Sequence, residues 1–194
     1  MKKTMLLLFF IPFGIIAQET QETKETAFDK KKNEVRFDVL SVITSGKFGL
    51  SYERFLGKDF SVGLHVNFSS STKTKNDFNE SSRNNLPKYE VNPYVRYALS
   101  KSKKRYYFAE VFASANGGDF KEIMKLTDAN GNDYYTTEIS NYSDFGLGGG
   151  LGYKMYIKDA WAIEFLVGFG SNLSNRDKSP DVISIVGLNF GYRF

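Results

Sequence analysis

Apolar and polar residues alternate with a period of two along most of the chain, and after the first seventeen residues no apolar stripe of period 3.6 persists. Between residues 60 and 69, Phe60, Val62, Leu64, Val66 and Phe68 occupy one face, while Ser61, Gly63, His65, Asn67 and Ser69 occupy the other. The end of the chain repeats the pattern, with Val186, Leu188, Phe190, Tyr192 and Phe194 set against Gly187, Asn189, Gly191 and Arg193. Trp161, Ile163, Phe165, Val167 and Phe169 form a third apolar face. A fourth, made of Phe145, Leu147, Leu151 and Tyr153, alternates with glycines at 146, 148, 150 and 152. Weaker alternation over 34–44, 47–55, 89–99 and 105–115 brings the predicted strands to eight. At about 9–11 residues each, they have the length a tilted strand needs to cross a bilayer.

The predicted connections sort into two kinds. Residues 56–59, 100–104 and 157–160 are tight turns, whereas 70–88, 116–142 and 172–181 are long and polar; only the first joint, 45–46, is short where a long one is expected. Transmembrane barrels show this asymmetry, with short periplasmic turns and longer external loops. A soluble barrel of the lipocalin kind is the competing reading, but it has no reason to sort its loops in this way. The polar face is rich in Gly and Ser, which suits a crowded interior. The apolar face carries Tyr52, Phe60, Phe68, Tyr97, Tyr153, Trp161 and Tyr192 near strand ends, where interfacial aromatic girdles sit. The expected fold is all-β: a transmembrane, eight-stranded, antiparallel up-and-down β-barrel over 34–194.

The first seventeen residues change the picture of where the barrel resides. Lys2 and Lys3 precede an apolar run from Met5 to Phe13, and Ala17 supplies a small residue at a cleavage point, so 1–17 reads as a secretory signal peptide. A retained anchor is the alternative, and the run is broken by Pro12 and Gly14. Residues 18–33 are charged and poor in apolar side chains, which predicts a disordered periplasmic linker. The formal net charge is +4, half of it carried by Lys2 and Lys3, which argues against a nucleic-acid partner. The absence of cysteine excludes disulfides, thiolate metal sites and a cysteine nucleophile. A mean hydropathy of −0.36 excludes a bundle of membrane helices.

The last strand, Val186 to Phe194, resembles the terminal signature of bacterial outer-membrane barrels. In that pattern aromatics alternate and the chain ends on Phe; the resemblance implies that Phe190, Tyr192 and Phe194 form an assembly signature read by the barrel-assembly machinery. The stretches Leu50-Ser51-Tyr52-Glu53-Arg54, Asn92-Pro93-Tyr94-Val95-Arg96-Tyr97 and Gly150-Leu151-Gly152-Tyr153-Lys154 are similar to those of small OmpA/OmpX-type barrels with no assigned activity. The resemblance covers 34–194 and implies the outer membrane of a Gram-negative bacterium, periplasmic termini, outer-membrane lipid as surroundings and a monomer. No peptidoglycan-binding segment is recognised after the barrel, which sets the chain apart from two-domain members.

With the apolar face toward lipid, parity turns Arg36, Asp38, Glu53, Glu90, Arg96, Glu110, Lys154, Glu164 and Arg193 inward. Their signs nearly balance, and a lumen of eight strands is just wide enough for its side chains to fill. They are expected to form a structural charge network in the periplasmic half that blocks the lumen. The glycines at 146–152 fail as a phosphate loop, because no helix follows; they are expected to make room for Tyr94 or Phe108. Pro93 cannot donate to a ladder, so a bulge is expected there.

No catalytic, cofactor or metal site emerges. His65 is the one histidine and lies on the inward face, away from a rim where a lipid-cutting base would work, and neither Ser61 nor Ser69 pairs with it by spacing alone. Asp128 to Asp133 resembles a calcium loop but lacks the downstream glutamate, and reads as a turn-rich tip. Lys101, Lys103, Lys104 and Arg105 form a basic turn, placed either near anionic inner-leaflet headgroups or in solvent. The expected role is non-enzymatic, structural or surface-interacting, with loops 70–88 and 116–142 as the place for a surface ligand. A lipid-modifying enzyme and a narrow ion or solute channel are the alternatives.

Overall fold

The computed structural model describes residues 26–128 and 130–194. The predicted signal peptide and the linker up to residue 25 lie outside them. Eight antiparallel strands close into a barrel in which each pairs with its sequence neighbours and the last with the first. They are β1 (Asn33–Asp38), β2 (Lys47–Phe55), β3 (Phe60–Ser69), β4 (Asn85–Ala98), β5 (Arg105–Thr127), β6 (Asp133–Ile157), β7 (Trp161–Asn172) and β8 (Val182–Arg193). The seam pairs Glu34 with Arg193, Val35 with Tyr192 and Phe37 with Phe190, and two backbone bonds between Asn33 and Phe194 finish it. Among the described residues there are also three helices: α1 (Ala27–Lys30) before the barrel, α2 (Val39–Ser45) between β1 and β2, and α3 (Thr72–Asn79) between β3 and β4.

Period-two alternation does what geometry requires of it, since successive side chains in a strand point to opposite faces. Leu50, Leu64, Val95, Val111, Leu151 and Val186 point away from the axis and stay exposed. Around this band, rings pair at the end that carries the short turns: Phe60 with Tyr97, Tyr107 with Tyr153 and Trp161 with Tyr192, at 4.9, 5.0 and 5.2 Å between centroids. At the opposite end Phe37 meets Phe48 at 5.2 Å, and Phe68, Tyr89 and Phe145 continue the ring. Phe60 and Phe68 stand about 26 Å apart along β3 at ~3.3 Å per residue. A strand tilt of about 40° leaves about 20 Å along the axis, near the apolar height of an outer-membrane barrel.

The inward faces are filled. Phe108 and Phe112 are buried, and each ring occupies the space in which a Cβ on Gly152 or Gly148 would stand. Tyr94 lies in the same way over Gly63. The glycines thus accommodate large neighbours, as expected for Phe108, although Tyr94 uses a glycine on β3 rather than one on β6.

Several local expectations are corrected. The strand predicted over 34–44 stops at Asp38, whose side chain accepts the Ser41 amide and caps α2; Gly46, at φ +58°, ends that helix in the left-handed region. The connection expected to be short is therefore a helix. Residues 116–142 are not an irregular loop: β5 and β6 stay paired from Asn116↔Asp144 to Thr127↔Asp133, and beyond Phe120, where pairing with β4 ends, they run on as a two-stranded ribbon. Its tip is a turn in which Asp128 Oδ1 accepts the amides of Asn130 and Asn132, both at 2.8 Å. Residues 70–88 contain α3, whose buried Phe78 packs under the Lys121 ammonium, 4.7 Å from the ring centroid. The bulge predicted at Pro93 is absent: Pro93 faces Leu64, and the β4–β5 register is unchanged between Val91↔Ala115 and Tyr94↔Phe112. The register shift lies instead between Pro87 and Tyr89.

The predicted disordered linker is also corrected over its described part. Thr26 caps α1 in a reciprocal box with Asp29, and Phe28, 4% exposed, plugs the turn end against Tyr156, with ring centroids 4.9 Å apart. Lys103, on the turn between β4 and β5, holds Asp29 at 2.6 Å. That contact lowers the Asp29 carboxyl to about 2. A depressed carboxyl contributes its stability above its ordinary range and loses it as pH falls through the folded value. The plug should therefore loosen between about pH 4 and pH 2. Pepsin should spare Phe28 at pH 4 and cut there at pH 2, and Asp29→Asn should make the site cleavable at pH 4. Equal protection of both proteins at both pH values would contradict this account.

Candidate functional site

The turn-end half of the lumen holds a layer of ions drawn from six strands. Lys154 on β6 places its Nζ 2.8 Å from Glu34, 2.7 Å from Glu53 and 3.0 Å from Glu164. Arg36 on β1 donates to Glu34 at 2.7 Å and to Glu53, and its Nη2 donates to the Tyr94 hydroxyl at 2.6 Å. Arg96 on β4 joins Glu53, Glu110 and Glu164 at 2.9, 2.6 and 2.7 Å. Its guanidinium is clamped between Tyr94 and Phe108, 4.5 and 4.3 Å from the ring centroids. Asn189 on β8 and the Ser61 hydroxyl on β3 donate to Glu164 and Glu53.

A pair of unit charges near 2.8 Å gains about 6 kcal/mol gross at an effective dielectric of 20. Desolvation costs several kcal/mol per ion. Each carboxylate here is shared among several donors, so the gain recurs while each desolvation occurs once. The layer's main effect is to specify register, because a one-residue slip would send these charges to the other face.

Of the residues expected to point inward, Arg36, Glu53, Arg96, Glu110, Lys154 and Glu164 come together in this layer. Arg193 lies at the turn-end mouth, linked to the layer through the Tyr156 hydroxyl at 3.4 Å. Asp38 and Glu90 are elsewhere: Asp38 caps α2, and Glu90 pairs with Lys47 at 2.8 Å near the loop end. Glu34, 0% exposed, was not anticipated, although it shares the parity of Arg36 and Asp38. Glu34, Glu53 and Glu164 also form a tight carboxylate cluster, their ligand atoms within 4.8 Å, where linear spacing showed none. Lys154 Nζ stands among all three, so the cation that neutralises them belongs to the protein itself.

A second arrangement was invisible before the register was known. Ser51, not Ser61 or Ser69, faces His65 across β2 and β3, with Oγ 2.6 Å from Nδ1. His65 Nε2 lies 3.4 Å from Glu110, and the ring stacks on Tyr94 at 4.3 Å between centroids. A serine, a histidine and a carboxylate thus stand in line. They are sealed in the lumen beneath Tyr94 and Arg96, where an acyl substrate has no approach, and the line serves to orient Glu110 toward Arg96.

The ionic layer, with Tyr94, Phe108 and Phe112, separates two cavities. One of about 180 Å³ opens at the turn end, under α1. The other, of about 170 Å³, lies at the loop end among Lys47, Arg83, Glu90, Asn116 and Tyr142.

A family profile matches residues 7–182, which take in most of this barrel. The chain belongs to the DUF3575 family. That family is described as protein of unknown function. No curated protein matches the chain. Among solved structures, the N-terminal β-barrel domain of Pseudomonas aeruginosa OprF is similar, at 12% identity over 84% of this chain and 98% of that chain, with a TM-score of 0.49. Ail, the attachment invasion locus protein of Yersinia pestis, is similar at 12% identity over 84% of this chain and 99% of that one, with a TM-score of 0.44. The barrel itself is established by the strand pairing described above.

Removing Lys154 leaves three carboxylates facing one another. Lys154→Met should cost about 3–5 kcal/mol, the penalty for breaking a buried ion network by deleting one partner. The measurement is the urea midpoint of the heat-modifiable gel band in detergent. Adding Glu164→Gln should restore part of the loss. A single variant as stable as the parent would show that the layer does not carry stability.

Proposed function

We propose that this chain is an outer-membrane β-barrel of a Gram-negative cell with a non-enzymatic role, structural or surface-interacting. The turn end and both termini face the periplasm, and the loop end faces outward. The observation that carries this reading is the outer surface. Exposed aliphatic side chains form a continuous belt between two aromatic rings, while Glu34, Arg36, Glu53, Arg96, Glu110, Lys154 and Glu164 of the same strands are buried on the axis. Water would leave that belt unsatisfied, and hydrocarbon would not. The signal peptide at 1–17 would deliver the chain, and the outward-facing Phe190, Tyr192 and Phe194 would be read by the barrel-assembly machinery. Insertion as a monomer fits a barrel whose seam is closed within one chain.

The surface role falls to the loop end. α2, α3 and the β5–β6 ribbon stand there, and the ribbon exposes Ile123, Tyr135 and Ile139 on the face continuous with the lipid-facing belt. The ion-filled lumen argues against a channel, and the enclosure of Ser51 and His65 argues against lipid hydrolysis.

The leaderless protein, refolded into phosphatidylcholine vesicles, should show a heat-dependent gel shift and a silent planar bilayer. Solubility as a folded protein in plain buffer would overturn the membrane reading, and discrete conductance steps would overturn the blocked lumen. On intact cells, added protease should cut at the ribbon tip near Gly131 and spare the turns. Overexpression of the parent and of Ser51→Ala should leave the acyl pattern of outer-membrane lipid the same; a change seen only with the parent would make the buried line catalytic.

A further inference from the structure

Arg193 is a nearly buried cation, 6% exposed, and among the described residues no carboxylate lies within ion-pair distance of it. Its neighbours are rings and carbonyls. The guanidinium carbon stands 3.8 Å from the Phe55 ring centroid and 4.1 Å from that of Phe28. Nε donates to the Lys31 carbonyl at 2.7 Å, and Nη1 donates to the Tyr156 hydroxyl at 3.4 Å. Nη2 has no partner among the described residues. Buried charges in folded proteins are paired or hold a ligand. The Arg193 side chain also lines the turn-end cavity of about 180 Å³, together with Lys32 and Lys58, neither of which has a carboxylate partner among the described residues.

The acids on the same wall are largely spoken for. Glu53 is shared by Arg36, Arg96 and Lys154, and Asp29 is held by Lys103. Asp59 alone lines the cavity without a cationic partner. The rim beyond is basic as well, because Lys30, Lys31, Lys101, Lys104 and Lys158 are opposed there by Asp159, which pairs with Lys104 at 2.7 Å.

We infer that this cavity binds a phosphate group, with Arg193 as its fixed donor and Lys32 and Lys58 as mobile ones. The planar guanidinium, held by two rings and two hydrogen bonds, offers its remaining N–H groups in a set direction, which suits a phosphate oxygen. Phe28, Phe55 and Phe108 supply an apolar wall beside the cations. The site therefore suits a phosphate that carries a short organic group. Such a phosphate comes either from an anionic lipid headgroup or from a soluble phosphomonoester.

The two sources separate in one experiment on the folded protein, with the gel shift recorded on each sample so that loss of the barrel is seen independently of loss of binding. Native mass spectrometry from mixed micelles should show phosphatidylglycerol retained about tenfold over phosphatidylcholine, and titration calorimetry with glycerol 3-phosphate and inorganic phosphate reads the soluble arm. Retention of lipid alone assigns a headgroup, whereas heat from glycerol 3-phosphate assigns a soluble ligand. Arg193→Gln should lower the positive signal at least fivefold. Lys32→Gln with Lys58→Gln, both on exposed segments, should lower it two- to threefold with the gel shift intact. Binding in neither arm overturns the inference. So does binding that the lysine pair leaves unchanged, which also decides the case if Arg193→Gln does not fold.

Discussion

The constraint on which the structure depends is the width of an eight-stranded lumen. A ring of eight strands encloses room for side chains and little else, so charges turned inward at its middle find their counter-charges among residues at the same height. Here the solution is shared donation. Lys154, Arg36 and Arg96 each contact at least two carboxylates, and Glu53 and Glu164 each form ion pairs with all three cations. The ions fix which residue of each strand meets which of the next, and so the register of the barrel.

The same packing divides the molecule by role. The middle is occupied by ions and rings, and the cavities and helices are confined to the two ends. At the turn end, α1 lays Phe28 over a basic cavity. At the loop end, two helices and a ribbon rise from a rim tied down by Asp144, which accepts the amides of Ser174 and Asn175 at 2.8 and 3.0 Å.

Much of this was legible in the chain. Period two, strand length and aromatic placement led to the barrel, and parity led to six of the ions that meet. What stayed hidden depends on register. Ser51 and His65 are fourteen residues apart and meet because β2 and β3 pair Ser51 with His65. The carboxylate cluster needs β1, β2 and β7 at one height, which no linear spacing displays. Other misses had signals that went unweighed. Glu34 shared the parity of its neighbours, and Asp38 three residues before Ser41, with Gly46 beyond, is a helix start and stop. In residues 116–142 the run Tyr134 to Ile139 has strand propensity, but its charges and the Asp128 to Asp133 turn drew attention to the loop. Phe28, a lone aromatic in a polar segment, was the trace of α1.

The seam between β1 and β8 carries a consequence for the order of assembly. β5 and β6 are joined by a five-residue tip, and such a hairpin can form from neighbouring segments at small entropic cost. The seam instead brings together residues from opposite ends of the barrel sequence, as Glu34 and Arg193 do. Until it closes, Glu34 stands on an open edge away from Lys154, and Arg36 lacks Glu164. Completion of the ring and full pairing of its ions thus depend on the same seam.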